Sequence, residues 1–375
     1  MKPFLLIVGA SGRAAAASAL RAGFDPFVID LFADADTKRL CPVLSCDPTD
    51  YPHGFLPLAN AAPPGPWMYT GGLENYPDVV AAISGGRELL GNGPAQLKLC
   101  RDPYQLADAV RAAGGQFPET IPLGTTPPAG GKWLRKFVAS AGGLNVRFAK
   151  PNDFDPASAN VRACLQRFID GRPMSALFRR DAGETHLFGL TQQLIGTTWL
   201  HAAPFAYAGN IAAKDLSRAL RLRDAFGPCL ELGLRHVWGV DYVDTGDRTL
   251  TVLEVNPRYT AGAEVLELAT RRALLGPIGW TRPVWSVVGK GIYYAPAPLT
   301  FPGSGPWDEA LARCTDVWAR PDFADIPEAG TRIERGQPVL TIFAETETEA
   351  DCETALRRRA AELDTLFGIP REEHQ

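Results

Sequence analysis

Histidine is rare in this chain of 375 residues, and its cysteines are not paired. The five histidines form no triad and no pair at metal-ligand spacing, and the seven cysteines include no Cys-x-x-Cys motif. The sequence therefore gives no support for a zinc finger, a dithiol redox site or a histidine-based nucleophilic site. Scattered reduced thiols favour a cytoplasmic location.

Long apolar runs and a strong excess of one charge are also absent. No segment approaches the ~18 to 20 apolar residues of a membrane span. A net charge of -4 provides no global basic field for nucleic acid. The N-terminus imitates a secretory signal, but its apolar core, residues 4–8, is short and is followed by glycines. We expect small-molecule substrates, no membrane or nucleic-acid partner, and leave open a homodimer.

The first informative stretch that is present is a strand, a glycine turn and a helix. Residues 4–8 predict a buried strand, and residues 9–13 predict a tight turn. A helix over 14–22 and a second strand over 27–29 follow, and Asp30 comes directly after that strand. This order is close to the dinucleotide-binding fingerprint. An NAD(P)-dependent oxidoreductase is therefore one hypothesis.

The turn departs from that fingerprint at its middle position, where Ser11 replaces glycine. A helix N-terminus can hold a carboxylate as readily as a phosphate. We therefore predict that this turn forms one wall of a co-substrate pocket, through Gly9, Ser11, Gly12 and Arg13.

The chain changes character twice along its length. Residues 1–97 alternate strands and helices, which predicts a parallel α/β unit. Residues 117–131 are almost all turn formers and are followed by strand-rich sequence. A section from 281 to 375 begins with Trp and Pro and ends in short strands and a helix; its aromatic residues Trp280, Trp285, Tyr293 and Tyr294 predict a packing core.

A β-hairpin carries the strongest chemical signal. The segments 236–243 and 249–256 alternate apolar and polar residues and flank a turn rich in Asp and Gly. If Asp244 faces Thr251, Asp241 lies opposite Glu254, and Asn256 shares the face of Glu254. The opposite face then points into the core and consists of Trp238, Val240, Tyr242, Leu253 and Val255.

Two carboxylates directly across a sheet repel each other unless something compensates. One interpretation is a solvent-exposed hairpin with two unrelated acids. The other is a divalent cation, because Asp241, Glu254 and Asn256 offer the hard oxygen ligands that magnesium prefers. Arg258, two residues further on, adds a cation that can reach the same phosphates and favours the second interpretation.

With this order of residues, an acid followed by Glu-x-Asn-Pro-Arg after a short hairpin, the sequence resembles the ATP-grasp superfamily. The resemblance implies metal ligation by Asp241, Glu254 and Asn256, with Mg²⁺ or Mn²⁺ on the phosphates of ATP. It also implies a catalytic role for Arg258 at the transferred phosphoryl group or acyl phosphate.

Two further segments resemble the rest of such a site. "WLRKFVASAGGLNV" is similar to the lysine strand and phosphate loop of the family, which implies ATP contacts from Lys136, also a catalytic candidate, and from Ser140, Gly142 and Gly143. "LQRFIDG" resembles the hinge that holds adenine, which implies contacts from Gln166, Arg167 and Ile169. Arg101 is the nearest counterpart of a second lysine that many relatives carry.

The resemblance implies an α/β and α+β chain with the ATP-grasp fold. Its parts would be a Rossmann-like N-terminal domain at 1–97, an ATP-grasp domain at 98–280 with a lid at about 120–170, and a small β-rich section at 281–375. The activity implied is that of a carboxylate–amine ligase that forms an acyl phosphate and releases ADP and phosphate. A bicarbonate-using carboxylase is the alternative within the fold.

The short strands at the end of the chain are similar to those of carboligases associated with tetrahydromethanopterin or methanofuran biosynthesis. That likeness implies a role in cofactor biosynthesis.

Overall fold

The computed structural model describes residues 2–112, 114–214, 232–246, 250–277 and 286–369. The sequence also predicts a helix over roughly 214–232; apart from its ends, this segment lies outside the described ranges, as do Trp280 and Trp285. Within the described ranges, no helix is long and apolar enough to cross a membrane.

The N-terminal unit is a four-stranded parallel sheet in the order β3-β2-β1-β4. The continuous apolar run of β1 matches a strand that is covered on both faces. The predicted strand–turn–helix–strand order is confirmed within a few residues. The elements are β1 Phe4–Val8, α1 Arg13–Arg21, β2 Asp25–Asp30, α2 Ala35–Leu40, β3 Val43–Ser45, α3 Phe55–Ala61, β4 Trp67–Tyr69 and α4 Pro77–Ser84.

Two helices lead from this unit to a small antiparallel sheet in the order β5-β8-β6-β7. The small sheet lies within the segment predicted as the lid. Its core contains Leu123, Trp133 and Leu165. The elements are α5 Pro94–Arg101, α6 Pro103–Ala112, β5 Thr120–Pro122, β6 Trp133–Phe137, β7 Arg147–Phe148 and β8 Ala163–Arg167.

An eight-stranded antiparallel sheet, in the order β13-β12-β9-β10-β11-β14-β18-β16, forms the largest part of the molecule. The C-terminal strands continue this sheet, since β14 pairs with both β11 and β18. The elements are β9 Arg172–Asp181, β10 Glu184–Ile195, β11 Tyr207–Ala212, β12 His236–Asp244, β13 Leu250–Asn256, α7 Gly262–Thr270, β14 Val287–Tyr294, β15 Leu299–Thr300, α8 Asp308–Arg313, β16 Phe323–Ala324, β17 Arg332–Ile333, β18 Pro338–Thr346 and α9 Glu349–Leu366.

The N-terminal sheet and the large sheet share one hydrophobic core. Alanines of α1 pack in the same cluster as Val265 and Leu266 of α7. These small side chains allow the two helices to lie close together, with every residue of α7 buried. A second core under the C-terminal strands contains Tyr293, as predicted, and Trp307. The α7 contact therefore fixes the N-terminal unit against the hairpin that precedes α7.

Candidate active site

The hairpin of β12 and β13 places Asp241 directly opposite Glu254, as predicted. The predicted register also holds for Gly239 and Val240, but it is wrong between Asp241 and the turn. Asp244 pairs with Leu250 and not with Thr251, because the ladder shifts between Asp241 and Tyr242. One extra residue on β13 forms a β-bulge, which reverses the facing of the side chains beyond it.

The bulge also corrects the predicted core face. Val252 is 1% exposed and packs in the core beside Trp238 and Val240. Leu253, which was predicted to point into the core, is only partly buried and lines a cleft together with Glu254. The bulge therefore adds an apolar side chain to the cleft next to the acid.

Asp241 lies in a polar setting built from three strands. Asn256 Nδ2 donates to Asp241 Oδ2 at 2.8 Å, and Ser175 of β9 and Gln193 of β10 also hydrogen-bond to this carboxylate. Burial, followed by the neighbouring charge of Glu254, raises the pKa of Asp241 to about 6. Hydrogen bonds from Ser175 and Gln193 and the charge of Arg258 act in the opposite direction but do not outweigh burial.

Glu254 has the opposite behaviour. Burial opposes its ionisation, but the charges of Arg101 and Lys136 outweigh that effect and lower its pKa. Arg101 forms a short ion pair with Glu254. Glu254 is therefore ionised at neutral pH. Its ion pair with Arg101 connects the hairpin to α5.

The donor set of this hairpin fits a divalent cation. Two carboxylates and the amide of Asn256 are hard oxygen ligands, and the two acids lie directly opposite each other across the hairpin. In the described ranges, no group of three or more His, Cys, Asp or Glu side chains is placed to hold a metal ion. An ion bound here would therefore need the amide oxygen, substrate phosphates or water to complete its coordination.

Lys136 lies on β6 and faces the hinge residue of the neighbouring strand. Its Nζ donates to Gln166 Oε1 at 3.0 Å, and Gln166 Nε2 donates to Thr120 Oγ1 at 3.2 Å. The antiparallel pairing of β6 with β8 places Leu134 beside Gln166 and Lys136 beside Cys164. The small sheet therefore brings the predicted phosphate lysine and the predicted adenine-binding residue together.

A cleft is lined by residues of the lysine strand, the glycine loop, the hinge and the hairpin. Its charged and polar lining includes Arg101, Lys136, Ser140, Gln166 and Glu254. Its apolar lining is suited to a flat aromatic ring and consists of Leu106, Phe117, Phe137, Val138 and Leu253.

The two other hinge residues lie beyond this lining. The backbone N–H of Arg167 donates to Glu119 O at 2.8 Å, and Ile169 is half-buried just after β8. Any contact of Arg167 with a base through its backbone must therefore use the carbonyl oxygen.

The glycine loop after β6 packs against the segment before β11. A Cβ on Gly143 would lie 1.9 Å from Phe205 O, whereas a Cβ on Gly142 would meet nothing within 4 Å. The carbonyl of Ser140 accepts from Arg101 Nη2 at 2.5 Å. The same arginine therefore contacts both the loop and Glu254.

Arg258 follows the hairpin and connects it to the N-terminal unit. Its Nη2 donates to Asn256 Oδ1 at 3.3 Å, and its Nε lies 2.8 Å from a carboxylate oxygen of Glu74. The guanidinium thus lies between a predicted metal ligand and a carboxylate of the N-terminal unit.

Arg13 does not have the predicted role of a substrate ligand. It is 4% exposed, and its guanidinium makes hydrogen-bonded ion pairs with Glu264 of α7 and with Asp325, the latter at 2.8 Å. Arg13 and Lys290 hold the pKa of Glu264 well below its usual range, although burial alone would raise it. This arginine connects α1 to the large sheet.

The remainder of the glycine turn is also largely engaged. Gly12 N donates to Asp30 Oδ2 at 3.0 Å, and Gly9 N donates to Ile29 O at 3.1 Å. Asp30, the acid that would bind a ribose in an NAD enzyme, instead accepts from the turn, and burial raises its pKa. Ser11 keeps an exposed side chain. The turn therefore does not support the NAD hypothesis.

Several residues around the site were missed from the sequence. Ser175 and Gln193 reach Asp241 from neighbouring strands, and only the strand order shows this. Asn92 binds both ends of the hairpin: its Oδ1 accepts from Arg235 N at 2.7 Å, and its Nδ2 donates to Pro257 O at 3.0 Å. No local motif signals these contacts, because the partners lie in separate elements.

Comparison with known proteins matches this arrangement to one family. Residues 100–262 match the family model ATP-grasp_3, which describes an ATP-grasp domain. An uncharacterized protein of Methanocaldococcus jannaschii is 22% identical over 274 residues, which cover 70% of this chain and 65% of that protein. The chain thus spans just under two thirds of the length of this curated relative.

Solved structures share the fold across almost the whole chain. The L-amino acid ligase from Bacillus licheniformis has a TM-score of 0.69 at 15% identity, covering 96% of this chain and 98% of that chain. The β,γ-ATP complex of biotin carboxylase from Campylobacter jejuni has a TM-score of 0.69 at 12% identity, covering 95% and 90%. These likenesses confirm the predicted ATP-grasp fold.

The matched segment contains the lysine strand, the glycine loop, the hinge and the hairpin of β12 and β13. The prediction made from those motifs is therefore confirmed for this segment, which matches an ATP-grasp domain, and the chain as a whole has the ATP-grasp fold.

Proposed function

We propose that this protein is an ATP-dependent carboxylate–amine ligase that acts through an acyl phosphate and releases ADP and phosphate. The observation that carries the proposal is the pairing of Asp241 with Glu254 across the hairpin, on the edge of a cleft that also contains Lys136 and Arg101. Opposed acids beside two cations are suited to a nucleotide triphosphate with its metal ion.

The cleft offers a place for each part of ATP. Its apolar side chains take the purine ring, and Gln166 with the hinge backbone reads the adenine edge. Lys136 and Arg101 contact phosphate oxygens, and the loop of Ser140, Gly142 and Gly143 covers them. Binding of phosphates would draw Arg101 away from Glu254 and free that carboxylate.

Asp241, Glu254 and Asn256 would hold Mg²⁺ or Mn²⁺, which supplies neutralisation of the phosphate charge. This chain's own cations act on the same charge: Lys136 approaches from the small sheet and Arg258 from the end of the hairpin. Fixed cations in a partly buried site stabilise the charge that shifts during phosphoryl transfer.

The reaction needs no nucleophile on the protein. A carboxylate oxygen of the substrate attacks the γ-phosphorus of ATP, and the bond from that phosphorus to the ADP oxygen breaks. The amine nitrogen then attacks the acyl carbon, inorganic phosphate leaves with the bridging oxygen, and the nitrogen loses a proton. Catalysis consists mainly of positioning and charge stabilisation.

A carboxylase that uses bicarbonate remains the second candidate. The biotin carboxylase structure matches this chain with the same TM-score as the amino acid ligase. Bicarbonate would take the place of the substrate carboxylate in the first step. The proposed role in tetrahydromethanopterin- or methanofuran-type biosynthesis concerns the choice of amine, for which glutamate is the first compound to test.

A screen of ADP release tests the proposal. The purified protein is incubated with ATP and Mg²⁺ and with a matrix of carboxylates and amines, and bicarbonate forms a separate row. We expect ADP and phosphate in equal amounts for particular carboxylate–amine pairs. Release with bicarbonate alone would favour the carboxylase, and absence of ADP release across the matrix would contradict both candidates.

A further inference from the structure

Glu74 is a buried carboxylate of the N-terminal unit that no sequence motif indicates. It follows β4 and is 1% exposed. One of its oxygens lies 2.8 Å from Arg258 Nε, and in the described part of the chain the other oxygen has no hydrogen-bond partner. A buried carboxylate with an unpartnered oxygen destabilises the fold, so its presence calls for a reason other than stability.

Each of the three guanidinium nitrogens of Arg258 contacts a different residue. Nε faces Glu74, Nη1 donates to Tyr259 O at 3.1 Å, and Nη2 donates to Asn256 Oδ1 at 3.3 Å. The partners of Nη1 and Nη2 are sequence neighbours of Arg258, whereas the partner of Nε belongs to the N-terminal unit. Glu74 is therefore the contact that restrains the Arg258 side chain from outside its own segment.

The N-terminal unit also holds the backbone of the same segment. The hydroxyl of Tyr69, at the end of β4, donates to Pro257 O at 3.0 Å, and Asn92 Nδ2 donates to the same carbonyl. Backbone and side chain are thus both fixed from the N-terminal side. Two hydrogen bonds to Pro257 O and one ion pair to Arg258 therefore restrain this segment from the N-terminal unit.

We propose that Glu74 is a positioning residue, which orients the guanidinium of Arg258 toward the transferred phosphoryl group. The inference rests on the proposed ligase function. It makes the N-terminal unit a contributor to the catalytic step in addition to any role as a co-substrate wall. Glu74 acts through Arg258 and does not itself touch the nucleotide.

The test is Glu74→Gln in the full-length protein, with turnover measured for a substrate pair found by ADP release. Gln keeps the shape of Glu and removes the charge that restrains Nε. We expect kcat to fall by about 10- to 100-fold, the size of effect that small misplacements of catalytic groups produce. The Kd for Mg²⁺-ATP should change less than about threefold, because the nucleotide cleft is intact.

Glu267→Gln is the matched control. Glu267 is fully buried and forms an ion pair at 2.8 Å with Arg21, so its loss imposes a similar structural cost at the contact of α7 with α1. Its kcat should stay within about threefold of the wild type. An equal loss of kcat in both variants, in step with their Tm, would overturn the proposal in favour of a purely structural role.

A double-mutant cycle covers the case in which Glu74→Gln folds poorly. Glu74→Asp keeps the charge and should retain part of kcat. In the Arg258→Ala background, Glu74→Asp and Glu74→Gln should have no further effect on kcat, and an undiminished effect there would contradict positioning through Arg258. A wild type that releases no ADP would refute the ligase function, whereas an active wild type with unaltered Glu74 variants would refute only this inference.

Discussion

Asp241 and Glu254 face each other across one hairpin, yet their pKa values move in opposite directions. Burial and the charge of Glu254 raise the pKa of Asp241 to about 6, whereas Arg101 and Lys136 lower that of Glu254 despite its burial. The two acids therefore differ in the cations they meet. Glu254 is paired with Arg101 at the cleft, and we propose that both acids, with Asn256, hold the metal ion.

Glu254→Gln should reduce ADP release by about 100-fold or more, because it removes a proposed metal ligand and the anionic partner of Arg101. The far-UV spectrum and Tm should stay close to those of the wild type. Glu184→Gln, at an exposed strand end, serves as a control with unchanged turnover. Full activity of Glu254→Gln would remove this residue from the metal site.

Thermal unfolding should respond to ATP with Mg²⁺ and not to NAD⁺. A ligand at 100 times its Kd stabilises the folded state by about 2.7 kcal/mol, which raises Tm measurably. Chelation of the metal should weaken the response to ATP. A rise in Tm with NAD⁺ alone would revive the oxidoreductase hypothesis, which the engaged carboxylate of Asp30 opposes.

Gly143→Ala and Gly142→Ala should differ sharply. Both glycines have positive φ, but only a Cβ on Gly143 would collide with the carbonyl of Phe205. We expect Gly142→Ala to cost about 1 kcal/mol of folding free energy. Gly143→Ala should in addition displace the loop and weaken ATP binding, measured by titration calorimetry. Equal affinities for the two variants would show that the loop does not cover the phosphates.

Glu264→Gln should destabilise the fold by about 3 to 5 kcal/mol, because it leaves Arg13 buried with a weakened partner. Glu328→Gln removes an exposed ion pair with Lys38 and should cost less than about 1 kcal/mol. Chemical denaturation of the three proteins measures the difference. Similar midpoints for both variants would contradict the structural role of the Arg13 network.

The pH dependence of the same network has a definite sign. The folded pKa of Glu264 lies well below the unfolded value, so its stabilisation is present above about pH 4.5 and is lost as the pH falls below it. The free energy of unfolding of the wild type should therefore decrease more steeply with acidification than that of Glu264→Gln. Parallel profiles would indicate that Arg13 does not stabilise the ionised form.

The sequence predicted those features of the site that depend on residues close together in the chain. The opposition of Asp241 and Glu254 follows from alternation in a hairpin, and the strand position of Lys136 follows from the glycines after it. The register beyond Asp241 could not be predicted, because the bulge at Leu253 depends on packing that brings Val252 into the core.

Contacts between segments far apart in the chain could not be predicted from the sequence. Arg13 lies in a glycine turn typical of anion binding, but its partners Glu264 and Asp325 are 251 and 312 positions away. Glu74 likewise shows no pattern that points to Arg258. Both assignments depend on how the N-terminal sheet docks on α7 and the large sheet, which local periodicity does not encode.

Transfer of ¹⁸O from a labelled substrate carboxylate is the most direct measurement of the proposed chemistry. With the substrate pair identified by ADP release, mass spectrometry of the inorganic phosphate should show one ¹⁸O atom per phosphate, in amounts equal to ADP. That result is predicted because the carboxylate oxygen attacks the γ-phosphorus and leaves with it. Phosphate that carries no ¹⁸O, or cleavage of ATP to AMP and pyrophosphate, would contradict the account.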